Sequence, residues 1–303
     1  MPTHQSQRSI QCVVSAGDIC GEGALWHPQE RSIFWTDVNG GRLHRYTLAD
    51  GSVQTWAFDQ PVTALVLTSH PEQILIVLGG RIVLWDVQLQ LTVRILYELP
   101  EWPGVRCNDA RVDPNGKLWF GTMQNNVAPD GSALPITEHV GQLLRMDHAG
   151  SVQIWRSGIG VANTMAWSVT GDRMYFGDTL TNQLYQCGFD LASSSLTSID
   201  VFNEGFARGL PDGSSVDAEG CLWNCRYGGG CIVRFAPDGS IAEVIDTPCL
   251  SPTTCIFAGS EQMLYFTSAN DNGPGEQPNG ALYSMHVETT GLPSTPFRLE
   301  ANG

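Results

Sequence analysis

Residues 217–235 read "DAEGCLWNCRYGGGCIVRF", and this stretch follows a plan that occurs six times along the chain. It has a polar turn at 217–220, a run of aromatic and apolar residues, a glycine-rich turn at 228–230 and a second apolar run. Short alternating runs between turn residues are typical of β-strands, and helical periodicity is scarce in the rest of the sequence. The stretch therefore indicates an all-β fold built from one repeated unit.

The spacing of the six units predicts the architecture. Their equivalent strand residues are Ile33, Ile74, Leu118, Met174, Leu222 and Leu264, which are 41, 44, 56, 48 and 42 positions apart. The wide third interval contains "QNNVAPDGSALPITEH" (124–139), which indicates an inserted loop. Repeats of about 40–50 residues with four short strands are typical of propeller blades. We predict one six-bladed β-propeller domain with a central channel over residues 1–303, and expect "IQCVV" (10–14) to pair with the last blade and close the ring.

Charge and cysteine content exclude several classes of function. The 303 residues include 31 acidic and 16 basic side chains, for a net charge of −15, which repels phosphate backbones and anionic lipid. We therefore expect no nucleic-acid or membrane partner, whereas a bound cation is compatible with this charge. The first residues have no apolar signal region, and nine cysteines without a secreted spacing pattern favour reduced thiols and a cytoplasmic protein. The oligomeric state is left open.

Equivalent positions of the repeat carry polar residues that a propeller would bring together. Five residues before the turn of each unit, with one shift for an extra turn residue in the first and fourth units, stand Glu22, Asn108, Asn163 and Asp212. The second and sixth units give Thr63 or Ala64, and Thr253 or Thr254. These positions begin the strand before the turn, which is the innermost strand of a blade. We therefore predict that their side chains meet in the central channel.

Two carboxylates in a narrow channel would repel each other and lose hydration, and a cation relieves both costs. The oxygen donors suit hard divalent ions such as Ca²⁺, Mg²⁺ or Mn²⁺. Asp212 has an alternative interpretation, because Pro-Asp-Gly is a turn sequence that also occurs at 129–131 and 237–239. Arg106 lies two residues before Asn108 and so on the same strand face, either as an ion-paired surface residue or as a donor to a polar substrate.

Four ordered motifs carry a resemblance to a known family. "GEGALWHP" (21–28), "RCNDARVDPNGKLWFGTM" (106–123), "ANTMAWS" (162–168) and "GLPDGSSVDAEGCLW" (209–223) resemble the regucalcin/gluconolactonase family of six-bladed propellers. The resemblance implies hydrolysis of sugar lactones to aldonic acids. It implies one divalent metal ion, with Ca²⁺, Mn²⁺, Mg²⁺, Zn²⁺ and Fe²⁺ left open, held by Glu22, Asn163 and Asp212.

The resemblance also implies substrate contacts. They fall on Arg106, Asn108 and, near "EHVG" (138–141), on Glu138, which is one position out of register. The chain departs from the family at Ala162-Asn163-Thr164, where the family commonly has Ser-Asn-Gly, so we expect a different pocket beside the amide. The loop 124–139 and the segment 270–281 are predicted pocket walls.

Our hypothesis for the reaction makes Asp212 the general base that activates water, as well as a metal ligand. Two alternatives stay open. One is a non-catalytic propeller that binds calcium or a protein partner, and the other is a paraoxonase-like esterase or lactonase with a less polar substrate. The sequence leaves the particular sugar lactone open.

Overall fold

The computed structural model describes residues 8–270 and 278–299, so residues 271–277 of the predicted wall segment lie outside the description. The strands, numbered in chain order, are β1 (Ile10–Val14), β2 (Gly21–His27), β3 (Ser32–Asp37), β4 (Arg42–Thr47), β5 (Val53–Ala57), β6 (Val62–Leu67), β7 (Gln73–Leu78), β8 (Arg81–Asp86), β9 (Leu91–Glu98), β10 (Val105–Val112), β11 (Leu118–Gln124), β12 (Gly141–Met146), β13 (Val152–Ile159), β14 (Ala162–Trp167), β15 (Arg173–Asp178), β16 (Gln183–Asp190), β17 (Ser195–Glu204), β18 (Leu210–Val216), β19 (Leu222–Tyr227), β20 (Cys231–Phe235), β21 (Ile241–Asp246), β22 (Pro252–Ala258), β23 (Met263–Ser268) and β24 (Leu282–His286). A single-turn 3₁₀ helix covers Thr179–Thr181.

The strands form six four-stranded antiparallel sheets, which we call blades 1 to 6. Blades 1 to 5 each take four consecutive strands, starting at β2, β6, β10, β14 and β18. Blade 6 has the order β1-β24-β23-β22, so the first strand of the chain completes the last blade. In this pair Ile10 lies opposite Met285. The predictions of a six-bladed propeller and of ring closure by residues 10–14 are both confirmed.

The first strand of each blade is innermost. These strands contact one another around a closed circuit, β2 with β6, β6 with β10, and so on to β22, which returns to β2. All six run in the same direction along the channel, because each one starts its blade. Equivalent positions of the repeat therefore lie at the same depth. We call the end where the inner strands begin the upper end.

Apolar packing holds the blades together in pairs. Six buried clusters lie between neighbouring blades, one at each of the six interfaces around the ring. Each sheet thus buries both faces, in agreement with the near-continuous apolar runs of its central strands. The tryptophans that the repeat pattern emphasised lie in these layers, and Trp119 and Trp223 are almost fully buried.

The turn after an inner strand is fixed by an aspartate. Asp217 Oδ1 accepts hydrogen bonds from the backbone N–H groups of Glu219 (3.0 Å) and Cys221 (2.9 Å), and Oδ2 accepts one from Trp223 Nε1 (2.8 Å). Arg234 Nε also donates to Oδ2, at 2.9 Å. The repeated Asp-x-x-Gly-x-Leu-Trp pattern therefore joins a turn to the tryptophan packed between blades.

Residues 287–299, which we call the C-terminal strap, cross the lower end of the channel. Gly291 forms a bridge with Asp217 of blade 5, and Phe297 forms one with Thr68 of blade 2. Phe297 is 1% exposed and packs in the cluster between blades 2 and 3. The strap therefore ties blades on opposite sides of the ring.

The nine cysteines all lie within the described residues, and none of them forms a disulfide. A helix of the length and apolarity that a membrane span requires is not found in residues 8–270 or 278–299.

We expect Asp217→Ala to lower the free energy of unfolding by about 3 kcal/mol, because it leaves the buried Trp223 indole N–H without an acceptor and removes one of the two acidic partners of Arg234, the other being Glu219 (2.6 Å). Asp147→Ala is the matched control, since Asp147 accepts the same two kinds of turn hydrogen bond, from Ala149 (3.0 Å) and Ser151 (2.9 Å), and no indole bond is formed with it in the described chain. This variant should lose about 1 kcal/mol. Urea unfolding measures both, and equal losses would contradict the role given to the buried bonds.

Candidate active site

Every inner strand is irregular near its upper end. The pairing with the second strand of the blade shifts at Glu22/Leu25, Val62/Ala64, Cys107/Ala110, Asn163/Ala166, Pro211/Ser214 and Pro252/Cys255. A β-bulge bends the strand and redirects side chains at that point. The six irregularities lie at the positions that the repeat singled out, so the polar ring is built on a ring of bulges.

The carboxyl groups of Glu22 and Asp212 lie close enough together in the channel for each to shift the pKa of the other. Burial raises the pKa of Glu22 well above its usual range, and the charges of Asp212 and Asp109 raise it further. Burial, followed by the charge of Asp109, raises the pKa of Asp212 to about 8. Two acids from blades 1 and 5, which are separated by blade 6, thus lie close together at the upper end of the channel.

Glycine neighbours allow these acids to approach. Gly23 has φ of +58°, a left-handed conformation that favours glycine, and its N–H lies 3.1 Å from Glu22 Oε2. A side chain at Gly213 would lie 2.3 Å from Thr254 Oγ1. The residue after each carboxylate is therefore glycine for a local steric reason.

A chain of polar side chains continues from the acids around the ring. Asn108 Nδ2 donates to Asn163 Oδ1 at 2.9 Å, and Arg106 Nη1 donates to Asn108 Oδ1 at 2.7 Å. Asn163 Nδ2 donates to Thr179 Oγ1 at 2.9 Å, which fixes the orientation of the amide. The structure thus brings together two groups of the predicted residues, the acids Glu22 and Asp212, and the row of Arg106, Asn108 and Asn163.

Arg106 has a second partner that the sequence reasoning missed. Asn126, in the inserted loop, accepts hydrogen bonds through Oδ1 from Arg106 Nε (3.0 Å) and Nη2 (2.7 Å). Burial lowers the pKa of Arg106 to about 10, which leaves it cationic at neutral pH, and nearby acids oppose this shift. The Asn126 amide therefore orients the Arg106 guanidinium but, being neutral, does not balance its positive charge.

Asp109 is a third acid at the ring, and it was also missed. Its Oδ1 accepts from the Ala110 N–H at 2.8 Å, and its Oδ2 accepts from the Met165 N–H at 3.2 Å. Burial raises its pKa, while the charge of Arg111 lowers it. Ordinary strand alternation would place Asp109 on the face opposite to Asn108, but the bulge at Cys107/Ala110 interrupts that alternation. Asp109 therefore contributes negative charge to the ring without being one of the repeat positions.

A buried network fixes the main chain at Asp212. Asn224 Nδ2 donates to the carbonyl oxygen of Asp212 at 2.9 Å and to Thr164 Oγ1 at 3.1 Å, and Thr164 Oγ1 donates to the same carbonyl. Asn224 Oδ1 accepts from Arg226 Nη1 at 3.2 Å. No signal in the repeat distinguishes Asn224, because it lies on the second strand of its blade.

Glu138 is not part of this cluster. It lies exposed on the inserted loop, where its N–H donates to Gln124 Oε1 at 3.0 Å, and its side chain has no hydrogen bond or ion pair with another residue of the described chain. Its role in substrate binding stays a prediction. The buried threonines of the remaining units bond to protein groups. Thr63 donates to Val77 O (3.1 Å) within its blade, whereas Thr253 bonds Thr267 Oγ1 (2.8 Å) in its own blade and the carbonyl oxygen of Gly21 in blade 1.

The oxygen donors at the upper end of the channel fit a divalent cation. Glu22 and Asp212 offer carboxylate oxygens close to each other, and Asn163 offers an oriented amide oxygen. The adjacent Cys20 has a pKa raised well above its usual range by burial and by Glu22, so it is a neutral thiol. Within residues 8–270 and 278–299 no three His, Cys, Asp or Glu side chains form a metal-site arrangement. The fit therefore depends on two acids and an amide, a set that suits a hard ion with further positions open to water.

The fold and the site define a class of protein, a six-bladed propeller with a buried, oxygen-rich centre at the upper end of its channel. Residues 20–270 match the family model described as the SMP-30/gluconolactonase/LRE-like region. The chain belongs to this family, and the resemblance found in the sequence is confirmed.

Several relatives are similar to this chain over almost its whole length. A pentonolactonase of Haloferax volcanii is 31% identical, with 94% of this chain and 97% of the relative covered. A 6-deoxy-6-sulfogluconolactonase of Pseudomonas putida is 31% identical, with 95% and 98% covered. Among solved structures, a calcium-binding protein from Agrobacterium tumefaciens, regucalcin, has a TM-score of 0.87 at 27% identity, with 96% and 98% covered.

The raised pKa values predict how stability depends on pH in protein freed of metal by chelation. In the unfolded chain Glu22 and Asp212 ionise near pH 4, whereas the folded protein holds their protons to higher pH. The folded protein therefore binds more protons above pH 4, and its free energy of unfolding falls as the pH rises towards 8. The slope is up to about 1.4 kcal/mol per pH unit for each group.

Denaturant unfolding between pH 5 and 8 measures this slope, and Asp212→Asn should reduce it. Asp50→Asn is the control, because Asp50 is exposed and its pKa is lowered by hydrogen bonds from Ser52, so it is ionised across this range in both states. A slope that is the same in the parent and in Asp212→Asn would show that the shifted pKa values do not control stability.

Proposed function

We propose that this protein hydrolyses a sugar lactone to the corresponding aldonic acid at the upper end of its channel. The observation that carries the proposal is the proximity of two acids, the half-buried Glu22 and the buried Asp212, beside the polar row of Arg106, Asn108 and Asn163. Relatives named pentonolactonase, 6-deoxy-6-sulfogluconolactonase and L-arabinolactonase support the predicted enzyme class, a sugar lactone hydrolase.

Glu22, Asn163 and Asp212 would hold one divalent ion, whose identity among Ca²⁺, Mn²⁺, Mg²⁺, Zn²⁺ and Fe²⁺ the donor set does not select. When bound, such an ion supplies Lewis-acid chemistry at a carbonyl oxygen and acidity to water. A dipositive charge beside Glu22 and Asp212 favours their ionised forms, and so it reverses the effect of burial on their pKa values.

Asp212 is our candidate for the general base. Once ionised it can accept a proton from water as the oxygen of that water attacks the lactone carbonyl carbon. The ring C–O bond then breaks, and the released ring oxygen takes the proton from Asp212 to become a hydroxyl group of the aldonic acid, which restores the ionised base. Asn224 and Thr164 bond the Asp212 carbonyl, so the carboxylate is presented from a fixed main chain. A positioned general base contributes about 10²–10⁴-fold to the rate.

Arg106, Asn108 and Asn126 would bind the substrate. Their guanidinium and amide groups suit the hydroxyl and ring oxygens of a sugar better than the apolar body of an esterase substrate. This polarity favours a sugar lactone over the less polar paraoxonase-like alternative. The inserted loop lies over this side of the channel, where Asn39 Nδ2 donates to the carbonyl oxygen of Gly131 at 2.9 Å. Glu138 lies on the same loop, and a contact between it and a bound substrate is part of the proposal.

Asp212→Asn should reduce kcat for a good aldonolactone by at least about 100-fold, since the amide cannot accept the proton. Glu22→Gln should weaken metal binding by removing one of the two charges that balance the ion. Acid release from a panel of aldonolactones, followed with a pH indicator with and without a chelator, measures the first effect. Isothermal titration calorimetry with Ca²⁺ and Mn²⁺ measures the second.

Asp109→Asn is the matched control for these variants. It removes a buried acid from the same ring, but one that is bound to backbone N–H groups and is not a proposed ligand, so turnover should stay within about tenfold of the parent. If Asp212→Asn hydrolysed the lactone at the parental rate, the assignment of the base would be wrong. If tight metal binding came with no acid release from any lactone, the non-catalytic calcium-binding alternative would be favoured.

Asn126→Ala should raise KM with little change in kcat, because it frees the guanidinium of Arg106 from its orienting acceptor. Glu138→Gln, on the same loop, is the comparison. A larger rise in KM for Glu138→Gln than for Asn126→Ala would show that the loop carries its substrate contact at Glu138.

A further inference from the structure

A cavity of about 300 Å³ lies at the lower end of the channel, away from the acid pair. Its walls include Ser214, Ser215 and Val216 of β18, which are two to four residues beyond Asp212. At about 3.3 Å per residue, this places the cavity about 7–13 Å below the ring. The C-terminal strap forms its outer wall with Leu292 and Ser294. We call this space the lower cavity.

Arg111 is the one charged residue among those that line the lower cavity in the described chain. Its side chain extends from blade 3 and bonds the backbone of two other blades. Nε donates to the carbonyl oxygen of Met165 in blade 4 (3.3 Å), and Nη2 donates to that of Ser214 in blade 5 (2.9 Å). These bonds fix the guanidinium in place between the ring and the cavity. Within residues 8–270 and 278–299, Nη1 has no hydrogen-bond partner and Arg111 forms no ion pair within 4.0 Å.

Asp109, whose pKa the Arg111 charge affects, forms its hydrogen bonds with backbone N–H groups and not with Arg111. Burial raises the pKa of Asp109 and the Arg111 charge opposes that shift, but the two carboxylate oxygens accept hydrogen bonds from the backbone N–H groups of Ala110 and Met165. Its charge also acts on Glu22 and Asp212 at the upper end. The lower cavity therefore has a fixed cation and no acid in its lining, although the whole chain has a net charge of −15.

The remaining walls are mainly apolar. Val216, Ile256, Phe257 and Leu292 contribute aliphatic and aromatic surface. Four serines also line the wall. Three of their hydroxyl groups donate hydrogen bonds inside the protein, Ser214 to Thr164 Oγ1 (3.4 Å), Ser215 to the carbonyl oxygen of Cys255 (2.7 Å) and Ser168 to Asp172 Oδ1 (3.0 Å). Such a lining does not match a neutral lactone with many hydroxyl groups, and an inorganic anion would leave the apolar surface uncovered.

We propose that the lower cavity is a second small-molecule site, which binds a small organic carboxylate with an apolar body. The carboxylate accepts hydrogen bonds from the Arg111 guanidinium, and the apolar body packs against Val216 and Phe257. Arginine is suited to this role because its planar fork matches a carboxylate. This site is separate from the proposed lactone site, so each can be tested without the other.

4-Fluorobenzoate is a suitable probe, and 4-fluorobenzamide is its neutral counterpart of the same shape. Titration followed by ¹⁹F NMR should give a dissociation constant on the order of 1 mM for the benzoate, as expected for a ligand of this size. The benzamide should bind at least about fivefold more weakly, since it lacks the charge that Arg111 pairs with. Equal affinity for the two probes would overturn the proposal.

Variants locate the binding. Arg111→Met should weaken 4-fluorobenzoate binding by about tenfold, to the affinity of the benzamide, whereas Arg94→Met should leave it unchanged. Arg94 is the matched control because it is an exposed arginine on the outer strand β9. Parental affinity in Arg111→Met would overturn the proposal.

Arg111 donates hydrogen bonds to two backbone carbonyl groups, so Arg111→Met removes structural bonds as well as the charge. A second variant therefore tests the site if Arg111→Met does not fold. Ser294→Trp fills the cavity from the strap without altering an inner strand, and it should abolish binding of both probes. Arg106→Met, at the upper end, should leave probe binding unchanged. Binding that survives in a folded Ser294→Trp protein, or that is lost in Arg106→Met, would place the probe elsewhere and overturn the proposal.

Discussion

The closed circuit of blades is the constraint on which the rest of this molecule depends. Each sheet has two apolar faces, and each face is covered only by the next blade, so six apolar clusters require six neighbours in a ring. The first strand of the chain completes the last blade and supplies the final contact. Closure also fixes the depth of every inner strand, which is why two acids 190 positions apart, Glu22 and Asp212, meet in one buried space.

Much of the fold and part of the site could be predicted from the sequence. The blades were predictable because turn residues and aromatic runs are local signals that recur at a blade's spacing. Glu22 and Asp212 were predictable because radial equivalence follows from the repeat alone, before any family is considered. That argument needs only the order of the residues, so it does not depend on how a loop folds.

The rest of the site depends on geometry that no local pattern contains. Asp109 joins the ring because a bulge interrupts strand alternation, and a bulge leaves no mark in the spacing of the repeat. Asn126 reaches Arg106 because the inserted loop folds back over the channel, where Asn39 of blade 1 bonds its backbone. Glu138 was selected by resemblance in sequence order, whereas the loop's path in space brings Asn126 to the arginine.

Thr164 shows how a departure from the family pattern acts at a distance from the substrate. At φ of +60° this β-branched residue is in the left-handed region, which costs about 1–2 kcal/mol relative to a glycine. Its hydroxyl group offsets that cost by donating to the Asp212 carbonyl and accepting from Asn224. Thr164 is completely buried, so these bonds are made inside the protein, and a different pocket beside the Asn163 amide stays a prediction. Because its bonds join β14 to β18, the substitution constrains the spacing between the amide of Asn163 and the carboxylate of Asp212, and through that spacing it acts on the proposed metal site.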